Sequence, residues 1–226
     1  MEQQVAVSMR SFEGTAREVF QGVRECGGRS IQIDAMHSDL QNMSASGRRD
    51  LKATLARLSL HCSGVDFLTS ETVWKQNPDH TLTLFAEAVA IAERLGNVPV
   101  GTCLPVESEL TSSTLAIGQQ AGILVSTHGA HPPEDPLVGW HLPVSFLAKE
   151  EQPMKTLVEA GHPPMAIRMC GEIIGDSTLD FEGHQVDLRE LRGVLDAMRW
   201  NPTPIVDACG EEAAILMEAW HVSGPW

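Results

Sequence analysis

Short β-branched runs alternate along this chain with stretches whose apolar residues recur at helical spacing. Strand candidates begin at Val5-Ala6-Val7-Ser8-Met9-Arg10 and Ser30-Ile31-Gln32-Ile33-Asp34. They recur at Ser63 to Leu68, Val98 to Leu104, Gly122 to Thr127, Val138 to Ser145, Met165 to Cys170 and Thr203 to Ala208. Between them the spacing predicts helices around Thr15 to Cys26, Gly47 to Leu58 (capped by Ser44 or Ser46), Asn77 or Asp79 to Gly96, and Glu107 to Ala121. Further helices are predicted at Gln152 to Ala160, Asp187 to Met198 and Glu211 to Trp220. Parallel strands need a crossover between them, and a helix is the usual one, so this alternation reads as βαβ units. Eight such strands predict an α/β protein closed into a (β/α)8 TIM barrel. The chain, at 226 residues, is expected to be one domain, 1–226. It is shorter than the roughly 250 residues typical of such barrels. The run His131-Pro132-Pro133-Glu134-Asp135-Pro136 is therefore read as a loop replacing the helix between the fifth and sixth strands.

Strands that face helices on one side and a packed interior on the other should be almost continuously apolar. Several here are not. In the second strand Gln32 and Asp34 share one face and Ile31 and Ile33 the other, because successive strand side chains alternate. The first strand carries Ser8 and Arg10, the third Asp66, the fifth Ser126 and His128, the sixth His141, the seventh Arg168 and the eighth Asp207. Most of these lie late in their strands, so a closed barrel would bring them to its C-terminal mouth, where such folds do their chemistry. Two readings of that convergence stay open. Arg10, Arg168 and the aspartates can satisfy one another as a buried ion-pair network with no reaction attached. Alternatively, Arg10 or Arg168 binds a phosphate or carboxylate, while His128 and the aspartates hold a divalent ion or move protons. His128 and His131 form an HxxH pair whose imidazoles can meet on one metal. His37, just past the second strand, is a candidate acid or base.

Bulk composition removes other classes. A formal charge of -14 argues against nucleic acid or an anionic membrane as partner, since both require basic patches. The five scattered cysteines form no CxxC pair, which speaks against a cysteine zinc site and for a reducing, cytoplasmic setting. No signal peptide or long apolar span is evident in the sequence. The tail from Trp220 to Trp226 is expected either to close the bottom of the barrel or to pack on a neighbouring subunit, and oligomeric state is open.

Three stretches carry a family resemblance: Ser44-Ala45-Ser46-Gly47-Arg48-Arg49-Asp50-Leu51, Ser63-Gly64-Val65-Asp66, and Ala86 to Val100, ending AERLGNVPV. With the order of elements along almost the whole chain, they resemble the sugar phosphate isomerase/epimerase family, the xylose isomerase-like barrels. The resemblance implies a (β/α)8 barrel and, in active members, a divalent metal such as manganese, magnesium, cobalt or zinc. It further implies metal ligands after the fifth strand (glutamate), sixth (aspartate), seventh (histidine) and eighth (glutamate). Here those places hold Thr127 or His128, the neighbourhood of Pro143, Arg168 and Asp207. Only Asp207 keeps an acidic oxygen, with His128 as a substitute donor, so the metal site reads as degenerate. A run that precedes the penultimate helix in the family survives in part as Glu182-Gly183-His184-Gln185-Val186-Asp187.

Two functions follow, and a metal-independent lyase or isomerase using the same mouth stays open beside them. One is an isomerase or epimerase of a small sugar or sugar phosphate, in which Asp207, Asp34 or His37 transfers the proton and Arg10, Asp66, His141 and Arg168 bind the substrate. Any metal would then sit on His128 and Asp207. The other is a metal-less, non-catalytic relative that binds a small ligand or a protein partner.

Overall fold

A computed structural model describes residues 4–41 and 43–224. Among them the strands β1 (Ala6–Ser8), β2 (Ser30–Asp34), β3 (His61–Phe67), β4 (Val100–Thr102), β5 (Val125–His128), β6 (Gly139–Pro143) and β7 (Ala166–Met169) follow one another as parallel neighbours. Three short strands come next in the chain: β8 (Glu172–Ile174), β9 (Thr178–Phe181) and β10 (His184–Asp187). The last, β11 (Thr203–Val206), pairs with both β7 and β1 and shuts the ring. The predicted (β/α)8 barrel is therefore the observed architecture.

Helices close the outside. Thr15 caps α1 (Ala16–Glu25) in a capping box with Glu18, each side chain satisfying one of the amides left free at a helix start. After the four-residue α2 (Ser38–Gln41), Ser44 caps α3 (Ala45–Arg57) by accepting the Gly47 N–H. Then come α4 (Glu71–Gln76), α5 (Pro78–Gly96), α6 (Ser108–Ala121), α7 (Val144–Leu147), α8 (Pro153–Glu159), α9 (Leu188–Ala197) and α10 (Gly210–Val222). Residues 129–138 hold only bends and turns, so the helix expected to be missing between β5 and β6 is missing.

The structure adjusts several expected boundaries. Arg10 is not on the first strand, which ends at Ser8, but in the 3-10 turn Met9–Ser11. The stretch between the third strand and Asn77, where the spacing predicts no helix, contains α4, whose Trp74 is buried edge-on to Phe67 and in contact with Phe85. An unpredicted antiparallel sheet, β8–β9–β10, stands between β7 and α9. Its hairpin turns at Glu182-Gly183, both with positive φ, as a two-residue connection of right-handed twist requires. Trp220 is 1% exposed, beneath the Arg192 guanidinium; Trp226 lies outside the described residues.

Alternation sorts the strands into two layers. Val7, Ile31, Ile33, Val65, Val100, Trp140, Ile167 and Val206 join the core shared with the helices. Ala6, Ala166 and Ile205 form a separate apolar cluster. One strand step further along, on the same face, come Ser8, Arg168 and Asp207, so the small apolar patch carries a polar layer toward the C-terminal end. Every unit of chemistry described below stands in that layer or at its rim.

Candidate functional site

Six side chains form a continuous chain of hydrogen bonds across the interior. A bulge in β3 places Gly64 opposite Gln32, and a Cβ on Gly64 would lie 2.9 Å from the Gln32 amide. Glycine is what lets Gln32 turn inward. Gln32 Oε1 accepts the Ser63 hydroxyl at 2.9 Å, and its Nε2 donates to Asp66 Oδ1 at 2.9 Å. The other Asp66 oxygen accepts Arg168 Nη1 at 2.7 Å. Arg168 Nε donates to Asp207 Oδ2 at 2.8 Å, Nη2 to Asp207 Oδ1, and Nη2 also to Ser8 Oγ at 3.3 Å. The forked guanidinium suits this bidentate grip. Burial disfavours the charged guanidinium, but the Asp66 and Asp207 carboxylates outweigh it and raise the arginine's pKa above its ordinary value.

Beside Asp66 stand His128 and His141, register partners on β5 and β6, their rings edge-on with centroids 4.8 Å apart. His141 is 2% exposed; His128 is half-buried at the rim. His128 Nε2 and His141 Nδ1 are nevertheless both enclosed and have no hydrogen-bond partner. Burial, helped by the positive field of Arg168, lowers the His128 pKa to about 3. Burial and the neighbouring His128 lower that of His141 to about 3 against the opposing pull of Asp66. Both rings are neutral at ordinary pH. One donor atom from each of Asp66, His128 and His141 lies within 4.8 Å of the others. His131, the other half of the HxxH pair, is exposed on the loop and stands apart from this group.

The remaining candidates line the rim. Asp34 ends β2 half-buried, and its Oδ1 accepts the Met36 N–H at 3.0 Å. Burial raises its pKa, partly offset by that amide and by the charge of Arg10. Arg10 is exposed and reaches the Leu68 carbonyl at 3.5 Å. His37 uses both ring nitrogens on backbone, Nε2 with Gly14 O at 3.1 Å and Nδ1 with the Asp39 N–H at 3.3 Å. Its position thus pins the loops that follow β1 and β2.

The structure therefore brings Asp66, His128, His141, Arg168 and Asp207 together, puts Asp34 and Arg10 at the rim above them, and leaves His37 in the loops. The metal pair read from the sequence, His128 with Asp207, is divided: both Asp207 oxygens are on Arg168, and His128 faces Asp66 and His141. Gln32, noted only for its strand face, and Ser63, read merely as strand, complete the network. Their signal was the inward phase of Gln32 together with the glycine opposite it.

Compared with solved structures, the whole architecture has close counterparts. A D-psicose 3-epimerase from Clostridium cellulolyticum H10 matches with a TM-score of 0.69 at 12% identity, over 97% of this chain and 96% of that one. What the two chains share is the fold, a closed (β/α)8 barrel. A xylose isomerase domain protein from Planctomyces limnophilus matches at 0.68 and 11% identity, over 97% and 95% of the two chains. An L-ribulose 3-epimerase matches at 0.65 and 12% identity, over 93% and 83%. No protein-family model matches the sequence, and no curated protein does. Among the described residues no helix is long and apolar enough to cross a membrane.

Proposed function

We infer that the chain, as one domain, is an isomerase or epimerase of a small sugar or sugar phosphate, working by proton transfer at the barrel mouth. The observation that carries this reading is the placement of Asp34 within the electrostatic reach of Arg10 at the rim. Asp34 has one oxygen committed to the Met36 amide, and burial raises its pKa, which makes it a stronger base than an ordinary aspartate,. Arg10 is an exposed cation beside it, suited to a phosphate or other anionic group. Asp207 and Arg168, the other members of the same expected roles, are spent on each other. Matches to solved sugar epimerases support a carbohydrate as the substrate. The acidic charge and unpaired cysteines support a cytoplasmic protein that does not bind nucleic acid.

The test is solvent-deuterium exchange, read by NMR at the carbon next to the carbonyl, on free and phosphorylated ketoses and aldoses. Wild type should wash deuterium into at least one of them. Asp34→Asn should lower kcat by about 100-fold or more with KM little changed. Arg10→Ala should instead raise KM, and only for the anionic substrate.

One observation favours the second reading, a metal-less member that binds without catalysing. Arg168 stands where the resemblance implies a metal-binding histidine, and it is tied to both Asp66 and Asp207. Absence of exchange on every sugar of the panel, with saturable binding of one of them, would establish that reading in place of the first.

A further inference from the structure

The geometry points to a divalent metal site inside the barrel formed by Asp66, His128 and His141, for an ion of the zinc type. It shares His128 on β5 with the places that the family resemblance implies, but takes His141 from within β6 and Asp66 from β3, and uses neither Arg168 on β7 nor Asp207 after β11. Three independent observations converge on it. The donor atoms already cluster, all within 4.8 Å of one another. Zinc bonds of about 2.0–2.2 Å to nitrogen and oxygen need donors roughly 3.5 Å apart, a separation that small side-chain rotations reach. Both imidazoles present an enclosed nitrogen with no partner, an arrangement that costs free energy unless something else accepts the lone pair.

The third observation is room. Gly101 on β4 faces the group, and a Cβ there would lie 2.9 Å from His141 Cε1 and 3.1 Å from both Asp66 Oδ1 and His128 Nε2. Its backbone is ordinary, since Gly101 is not among the glycines of positive φ. Turn geometry therefore does not call for glycine here, whereas free space beside all three donors does.

Charge and support agree. Arg168 is a single cation shared by two carboxylates, Asp66 and Asp207, so the cluster keeps a net negative charge beside two neutral imidazoles. One carboxylate and two histidines are the donor set of open, three-ligand zinc sites. Gln32 and Arg168 hold the two Asp66 oxygens by hydrogen bonds, the kind of outer support that fixes a ligating carboxylate. Each oxygen keeps a second lone pair for the ion. The inference is independent of any substrate.

The experiment uses the full chain, stripped with chelator and titrated with zinc and with cobalt. One ion per chain should bind, and bound cobalt should show the strong visible bands of four-coordination. His141→Leu and Gly101→Ala should each weaken zinc binding by at least about 100-fold, while Asp207→Asn should change it by less than about tenfold. Saturating zinc should raise the Tm of the wild type and not that of His141→Leu. No binding by the stripped wild type would overturn the site, leaving a buried water as the partner of the two nitrogens. Binding lost in Asp207→Asn but kept in both other variants would also overturn it, by moving the ion to the eighth strand.

Discussion

The β7–β11–β1 wall of the barrel and the β5–β6 wall both bury polar side chains, but they satisfy them differently. On the first, Arg168 uses each of its nitrogens, on Asp66, Asp207 and Ser8. On the second, two imidazoles approach each other and Asp66 while each leaves a nitrogen unanswered. A saturated ion network is complete without a ligand and fixes a shape. An unsaturated pair of neutral bases is stable only because the rest of the fold holds it there, and it keeps its lone pairs available. The contrast separates a structural arginine from a functional histidine pair within one layer, with Asp66 belonging to both.

Breaking the saturated wall should have the largest effect. Arg168→Met removes the cation from Asp66, which is 0% exposed and would keep only its bond from Gln32. Losing one partner of a buried pair strands the other charge, so the expected cost is about 3–5 kcal/mol. Urea unfolding at neutral pH measures it. A loss under about 1 kcal/mol would show that the network is hydrated and that its ion pairs contribute little.

The same measurement on the opposite wall should give a much smaller number. In metal-free protein, His141→Leu swaps an imidazole with an unmet nitrogen for a side chain of similar volume that asks for no partner. The cost should stay below about 1.5 kcal/mol, and the variant can even gain stability. If both substitutions cost the same, the two walls do not differ in the way their hydrogen bonds imply.

Much of this was legible in the sequence because a strand's period of two is unforgiving. Gln32 and Asp34 against Ile31 and Ile33, and Arg168 between Ile167 and Met169, announce which side chains share the interior, and a parallel barrel needs little else to bring them to one end. Partner choice was not legible. Arg168 meets Asp66 and Asp207 across the hollow of the ring, at chain separations of 102 and 39 residues, and no local pattern ranks one aspartate above another. His128 and His141 become neighbours only through the β5–β6 register, which the loop between them sets. The β8–β10 sheet was missed for a different reason. Its strands are three or four residues long, too short for alternation to stand out beside the helix that follows. Arg10 was drawn onto the first strand because Met9 extends the apolar rhythm, although the backbone has already turned at that point.

The finest test compares two aspartates that sit opposite each other in register, Asp34 on β2 and Asp66 on β3. Asp66 is doubly held, by Gln32 and by Arg168. Asp34 is half-buried, with one backbone amide, and faces Arg10 and His37 as favourable neighbours and Asp66 as an unfavourable one. Burial raises its pKa, so the folded chain holds this proton more tightly than the unfolded chain. Between the ordinary aspartate value and the raised one, the folded state binds more protons, and its stability must fall as the pH climbs through that window. Above the window the penalty is constant; below the ordinary value it vanishes. Asp34→Asn keeps an oxygen for the Met36 amide and removes the titration. The variant should therefore be more stable than wild type at about pH 7, with the advantage closing by about pH 3.5. Paired urea midpoints across that range cancel every other titrating group common to the two proteins. A difference that does not vary with pH would mean that Asp34 is not held in the fold as a reluctant anion, and its candidacy as the proton carrier would lose its physical basis.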